Sequence, residues 1–377
     1  MSSKYLTALI KNTHRRALKR LALVLRAAVA EYTGSSSKNA PRIRWTALGR
    51  FGANAITQAI LIWLILELGA AAKGDGPVLL LGSLLLFVAL AQILGAAVYA
   101  IRGVHVHHFF GHSNPTNETG ARKLVLQACL TAVTMIWLLP PPWLYALIHG
   151  KHHSWLATKP DPDLAALRRR GLRPGMSPGW YRAWFRRQRW NLATFLHEIS
   201  MDARDHVDQR AGRWHIICFA LIWSGALVAA ISSGHLVFLS AAWLLVRCAA
   251  AQANFTQMVS EHTWARSSFA SPRKVAGELL TFHRRVGYPL PQRTGRLGRD
   301  LLAKGIWALR TLATLPVRMG VAAADLKDHH THHAHPRADW PNSACAPSTA
   351  REVWGNFDDW NEIGFAQLAA LPPNHWR

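Results

Sequence analysis

Residues 77–112 read PVLLLGSLLLFVALAQILGAAVYAIRGVHVHHFFGH, an apolar run that ends in a group of histidines. The part from 77 to 101 is long enough to cross a bilayer, since about 20 apolar residues span its hydrocarbon core as a helix. His108 and His112 follow with the spacing HxxxH. Residues four apart lie on one face of an α-helix, so both imidazoles can approach one point. The stretch therefore predicts a membrane helix with a candidate metal-binding end.

Similar apolar runs occur elsewhere in the chain, at about 52–72, 215–233 and 236–253. The turns at 73–76 and 233–235 join the four runs into two hairpins. A further run, at about 124–147, contains Pro140–Pro142, which interrupt a continuous helix and favour a re-entrant or interfacial segment. We predict an all-α integral membrane protein with about four transmembrane helices in two hairpins, and a cytoplasmic helical cap that carries the histidines.

The charge distribution indicates which way the chain crosses the membrane. Lys and Arg number 44 against 20 Asp and Glu, a formal net charge of +24. They concentrate before residue 50, between 165 and 213 and between 266 and 319, whereas the two turns carry one Lys and no Arg. Because Lys-rich and Arg-rich segments stay in the cytoplasm, we expect a multi-pass protein whose histidines face the cytoplasm, provided that 124–147 does not cross.

The same distribution divides the chain and limits its partners. Residues 1–46 are expected to form a basic amphipathic arm on the membrane surface, 47–343 the membrane domain, and 344–377 a C-terminal cap segment. The basic residues flank apolar spans and do not form a separate module, which favours a lipid bilayer over nucleic acid as partner. The four Cys are scattered without a CxxC pair, which argues against disulfides and thiolate-bound metal.

Two further histidine boxes share the spacing HxxHH, the first formed by His149, His152 and His153 and the second by His329, His332 and His333. With His108 and His112 they supply eight imidazoles. Since one ion seldom takes more than about six ligands, eight indicate two metals. Imidazole ligands without thiolates suit iron best, with zinc or copper behind. An O₂-activating metal beside a membrane implies attack on an unactivated C–H bond of a lipid chain.

Several alternatives stay open at this point. The first ligand of box one is His107 if the spacing is HxxxxH, although we favour His108. Three carboxylates near the boxes are candidates for orienting ligand imidazoles through their N–H groups, or else are solvated loop residues. They are Asp161, Asp163 and Asp328.

The order HxxxH, HxxHH, HxxHH resembles the membrane fatty acid desaturase family, which includes hydroxylases. His149–His153 followed by Asp161-Pro162-Asp163 is similar to the family's second box and its acidic DPD, and Asn117 lies where many members carry Asn. The resemblance covers roughly residues 47–337. It implies a non-haem di-iron centre that uses O₂ and two electrons, with the eight histidines as iron ligands.

The resemblance also implies a ninth ligand after the last span, for which His262 is the candidate, and a metal-bound water held by Asn254. It implies an O₂-dependent desaturase that introduces a double bond into a fatty acyl chain. The alternative is an acyl-chain or hydrocarbon hydroxylase, and a less favoured one is a membrane metal-binding or transport protein.

Electrons for such a reaction must come from outside the chain. The sequence contains no haem segment, no Gly-rich dinucleotide fingerprint and no Cys cluster. We therefore expect an external donor, a ferredoxin, a rubredoxin or a cytochrome b5-type protein. Such donors are commonly acidic and would dock on a basic cytoplasmic face by charge complementarity. The residues proposed for this face are Arg168, Arg169, Arg170, Arg284, Arg285, Arg293 and Arg296.

Overall fold

The fold is described from a computed structural model, for residues 46–71, 77–112, 118–155, 158–261, 283–286, 291, 294–313, 352–355 and 365–374. Residues 1–45 lie outside these ranges and with them nearly all of the predicted N-terminal arm. His262, Asp328 and all of box three (His329, His332 and His333) also lie outside the described residues, as does Asn117.

The described chain is mostly helical, which confirms the predicted class in outline. Its main helices are α1 (Ala47–Ala71), α2 (Pro77–Ala100), α3 (Gly120–Ile136), α4 (Pro142–Trp155), α5 (Pro162–Arg169), α6 (Pro178–Arg189), α7 (Leu192–Val207), α8 (Arg213–Ser232), α9 (Leu236–Glu261) and α10 (Leu297–Ala313). A π-helix, Ile101–Gly111, continues α2, and a 3-10 turn, Gln209–Ala211, follows α7. Two short strands, β1 (His283–Val286) and β2 (Glu352–Gly355), pair in parallel with His283 opposite Glu352 and were not predicted.

Four helices of the described chain are long and apolar enough to cross a membrane. They cover Ala47–Ala70, Leu80–Gly111, Arg213–Ser232 and Leu236–Ser260. All four expose large apolar side chains, including Trp63, Leu85, Leu221 and Val237. In water such exposure would be costly, but lipid tails cover it without penalty. The number of candidate spans agrees with the four expected from the sequence.

Helices α2 and α9 pack tightly against each other. A Cβ built on Gly95 would lie only 2.4 Å from the Cβ of Ala249, so no larger residue fits at this crossing. Ala91 and Ala250 are buried in the same apolar core. Small residues let membrane helices approach closely enough for their backbones to make van der Waals contact.

The run predicted to be re-entrant is broken at its prolines. Helix α3 ends at Ile136, and α4 begins at Pro142. Between them Leu138 adopts a φ of +45°, which is rare for a residue with a Cβ and prevents the α-helix from continuing. Segment 120–155 is therefore two helices joined by a turn and not one spanning helix.

The carbonyls at the end of α3 are satisfied by side chains from α7, α8 and α9. The last carbonyls of a helix have no partner within it, and inside a bilayer they have no water either. Met135 O accepts from Trp223, Ile136 O from Trp243, Leu138 O from Arg247 and Leu139 O from His206, at distances between 2.7 and 3.1 Å.

A second apolar core lies between α5, α6, α7 and the end of α9. Its largest fully buried side chains include Tyr181, Trp184 and Phe255. The C-terminal residues Phe365 and Leu368 belong to the same core, and Phe365 stacks on Tyr181 with 5.5 Å between ring centroids. The described part of the predicted C-terminal cap segment thus packs directly on α6.

Arg170 corrects one detail of the predicted basic face. Its side chain is buried, forms an ion pair with Glu198, and lies 4.4 Å from the centroid of the Phe255 ring. Arg168 and Arg169 are exposed on the same helix end. Arg170 therefore packs against the second core and is not available to a docking partner.

Candidate metal centre

The π-helix at the end of α2 determines which histidines of box one meet. Backbone hydrogen bonds in a π-helix join residues five apart, so these residues stack above one another. His107 and His112 are five apart, and His112 is the residue at which the π-helix ends. Their ring centroids lie 5.4 Å apart. The π-helix therefore aligns the pair HxxxxH, which an α-helix would direct to different sides.

Helix α4 supplies the second half of the site. His149 and His153 are four residues apart and so lie on one face of this α-helix. Their ring centroids are 4.4 Å apart, and the His149 ring lies 3.9 Å from that of His107. The π-helix and α4 are packed against each other, which brings the two pairs of histidines together.

The four residues His107, His112, His149 and His153 form a group that could hold a metal ion, with one nitrogen from each lying within 4.8 Å of the others. The closest pair is His112 Nε2 and His149 Nε2, at 2.9 Å. Without a metal, one of these nitrogens carries a proton and donates a hydrogen bond to the other. With a metal, both lone pairs would be directed to the ion.

Burial keeps these imidazoles in the form that metals bind. It lowers the pKa of His112 to about 4, and together with the neighbouring His112 and His152 it lowers the pKa of His153 to about 2. Both side chains are therefore neutral at neutral pH and retain a lone pair. A neutral, imidazole-only donor set fits iron, zinc or copper better than a hard cation such as Mg²⁺.

Tyr145 and Gly111 position the cluster, and neither was predicted from the sequence. The Tyr145 hydroxyl lies 3.1 Å from His107 Nδ1, and its ring stacks on His149 with 5.5 Å between centroids. A Cβ on Gly111 would lie 2.7 Å from His149 Cδ2, so only glycine leaves this ring in place. The position of Tyr145 one turn before His149 was the available signal, since residues at i and i+4 contact each other on a helix.

His152 faces away from the four-histidine group towards two carboxylates. Its Nδ1 lies 2.9 Å from Asp161 Oδ1 and 3.5 Å from Asp163 Oδ2. Asp161 is completely buried and also accepts a hydrogen bond from Asp163 N, which caps the start of α5. A carboxylate on one imidazole nitrogen fixes the tautomer and directs the other nitrogen outward. The geometry agrees with the predicted orienting role for Asp161.

The structure brings some of the predicted ligands together and leaves others apart. His112, His149 and His153 join the cluster, and from box one the fourth member is His107, the alternative to His108. The His108 ring lies 4.7 Å from that of His107 and 6.1 Å from that of His112, and it is not part of the four-histidine group. His152 lines a cavity of about 50 Å³ beside the cluster, as do Asp163 and Asn254.

Comparison of this chain with protein-family models, with curated proteins and with solved structures found no match. The candidate metal site is therefore described from the positions of its own histidines.

Proposed function

We propose that this chain is a membrane-bound oxidoreductase that uses iron and O₂ to introduce a double bond into a fatty acyl chain. The observation that carries the proposal is the four-histidine cluster, formed by two separate boxes at the end of an apolar helix long enough to cross a membrane. Neutral imidazoles buried beside lipid-facing helices suit a metal that acts on an apolar substrate. Iron bound there would supply O₂ activation and attack on a C–H bond.

Two irons need more ligands than the four-histidine cluster offers. His152 borders the same cavity, and its Nδ1 is engaged by Asp161, so Nε2 is the nitrogen that would bind a second ion. We propose that four further histidines complete the coordination of that second ion. They are His262, His329, His332 and His333, which lie outside the described residues. Asn254 lines the cavity and would hold a water there.

The residues of this chain would hold the metals in place and supply an apolar surface. Tyr145 and Asp161 fix the orientation of His107 and His152, and Gly111 leaves room for His149. Exposed apolar side chains on the four long helices bring acyl chains of the bilayer close to the site. Desaturation and hydroxylation differ only in the last step of the reaction. An acyl-chain or hydrocarbon hydroxylase is therefore the second candidate.

A metal transporter is less well supported. Transporters place their ion ligands near the middle of the spans, whereas these histidines come at the end of Leu80–Gly111. That helix has 32 residues, about ten more than a bilayer requires, which leaves room for its histidine end to lie at the interface. We propose that this end faces the cytoplasm, where an acidic electron donor would dock near Arg168 and Arg169.

Metal analysis and lipid profiling test the proposal together. The purified full-length protein should contain about two iron per chain, and cells that produce it should accumulate unsaturated acyl chains. His149→Ala and His153→Ala should lose iron and activity, while His197→Ala, an exposed histidine on α7, should retain both. Full iron content in the first two variants, or zinc as the bound metal in the active wild type, would overturn the proposal.

A further inference from the structure

Of the four arginines within the candidate membrane spans, Arg102 and Arg247 lie furthest from the span ends, and their surroundings differ. Arg247, in α9, is held by Asp202 Oδ2 at 2.5 Å and by Leu138 O at 3.0 Å. Arg102, in the π-helix, makes no side-chain hydrogen bond or ion pair within the described chain; its guanidinium lies 5.5 Å from the centroid of the Tyr145 ring. A charge in a membrane segment is costly unless something pairs with it, so such a residue indicates a function.

The π-helix places Arg102 in line with the histidines. Successive members of the row Arg102, His107 and His112 are five residues apart, so the π-helical spacing places Arg102 on the side of the helix that carries the two imidazoles. All of this row except His112 borders the cavity of about 50 Å³ that His149 and His152 also line. Arg102 therefore faces the space beside the metal centre and not the lipid.

The rest of the cavity wall offers further hydrogen-bond donors. A Cβ on Gly103 would lie 2.7 Å from the Tyr99 hydroxyl, so glycine leaves the space that this hydroxyl occupies at the wall. Gln257 also lines the cavity, and the buried amide atom without a hydrogen-bond partner is its Oε1, an acceptor. Since an amide carries a donor and an acceptor at opposite ends, half a turn would present its N–H groups to a ligand.

The size and chemistry of this space indicate the class of ligand. At about 10–15 Å³ for each water-sized group, the cavity holds roughly three or four such groups, about the size of a carboxylate head. A guanidinium fork matches a carboxylate with two parallel hydrogen bonds. Asp163 also lines the cavity, and it forms its ion pair with His152. Asp163 and Asp202 both attract the Arg102 guanidinium through space, but neither forms an ion pair with it.

We propose that the cavity between Arg102 and the histidine cluster is a carboxylate-binding subsite, anchored by the Arg102 guanidinium. The carboxylate belongs either to a small free acid or to the end of an acyl chain. The subsite does not depend on which metal the histidines hold or on which oxidation the protein performs.

The test is titration of the full-length protein in detergent with ¹³C-formate, followed by NMR line broadening, as purified and after chelation of metal. Wild type should bind one formate per chain in both states. Arg102→Gln should bind at least 10-fold more weakly, and Arg102→Lys, which keeps the charge but loses the fork, should fall between them. Arg187→Gln, which removes an exposed arginine of α6, should bind like wild type.

Octanoate then identifies the source of the carboxylate. Displacement of formate by octanoate in wild type assigns the subsite to the end of an acyl chain, whereas formate binding without displacement assigns it to a small free acid. No saturable formate binding by wild type, or equal binding by Arg102→Gln, overturns the proposal.

Gel filtration and circular dichroism check that the variants fold. If Arg102→Gln does not fold, the formate affinity of Arg102→Lys decides the test. The iron content of Arg102→Gln should match wild type, so failure of the subsite is distinguishable from failure of the metal centre.

Discussion

Gly111 has no side chain, and the His149 ring occupies the space that a methyl group on Gly111 would need. Gly111→Ala would place a Cβ 2.7 Å from His149 Cδ2 and push the imidazole out of the cluster. We expect metal affinity to fall about 10-fold or more, in line with the loss of an orienting contact around a metal. Competition with a chromophoric chelator measures this affinity.

Gly150 provides the control for this substitution. It lies in α4 next to His149, but a Cβ built there meets no atom within 4 Å. Gly150→Ala should leave metal affinity unchanged and raise helix stability by up to about 1 kcal/mol. If Gly111→Ala binds metal as tightly as Gly150→Ala, the contact with His149 has no role in the site.

His206 makes stability depend on pH away from the metal centre. It is fully buried between Leu139 O and His215, and burial lowers its pKa from 6.5 to about 4. Between these values the unfolded chain binds more protons than the folded one, so stability is complete above pH 6.5 and falls as the pH drops to 4. The loss should reach at most about 3 kcal/mol.

Comparison with His206→Gln isolates this contribution, because the cluster histidines titrate in both proteins. Thermal unfolding at a series of pH values should show a stability difference between wild type and variant that shrinks between pH 6.5 and pH 4. A difference that does not change with pH would mean that His206 does not titrate on unfolding.

At the level of single residues, the sequence predicted three of the four clustered histidines. It favoured His108 because the i and i+4 spacing of an α-helix makes HxxxH the natural pair. In the π-helix the residues that lie on one side are five apart, and the composition of residues 101–111 does not predict a π-helix. The roles of Tyr145 and Gly111 depend on how α4 packs against the π-helix, which local sequence does not encode.

Among the elements, the turn between α3 and α4 depends most on distant side chains. Arg247→Gln removes the ion pair with Asp202 and weakens the hydrogen bonds to Leu138 O. A buried carboxylate left without its partner costs about 3–5 kcal/mol. We therefore expect a large drop in the midpoint of thermal unfolding in detergent.

The double variant Asp202→Asn/Arg247→Gln tests the cause of this drop. With both charges removed no unpaired ion remains, so the double variant should be more stable than Arg247→Gln alone. Additive losses from the two substitutions would show that the ion pair is not what holds the turn.

The break between α3 and α4 was predictable from the sequence, but the hydrogen bonds that stabilise the end of α3 were not. Pro140–Pro142 cannot continue a helix, which made the interruption predictable. The donors that satisfy its carbonyls come from 67 to 109 residues later in the chain. Only the folded arrangement of α7, α8 and α9 brings them to this turn.

For the whole molecule, the orientation in the membrane is the main prediction. In a variant without the four native cysteines, Ser233→Cys in the turn between α8 and α9 should react with a membrane-impermeant maleimide on intact cells. Arg187→Cys, on the exposed side of α6, should react only after the membrane is permeabilised. The opposite pattern would place the histidines outside the cytoplasm.

The apolar runs made the four long helices predictable, because the length needed to cross a bilayer is nearly fixed. The docking of the C-terminal segment was not predictable. Gly175 adopts a φ of +72° and donates its N–H to Leu368 O at 3.0 Å, a contact between residues almost 200 positions apart. Neither hydropathy nor spacing carries information at that range.

The π-helix also bears on how this chain should be aligned with others. Deleting one residue between His107 and His112 would leave two histidines four apart, and an ordinary α-helix would then present them together. Chains with HxxxH and chains with HxxxxH can therefore offer the same two imidazoles at the same place, differing by one inserted residue. An alignment between them should open its gap inside the box, so that both outer histidines stay matched and His108 is not forced into a ligand column.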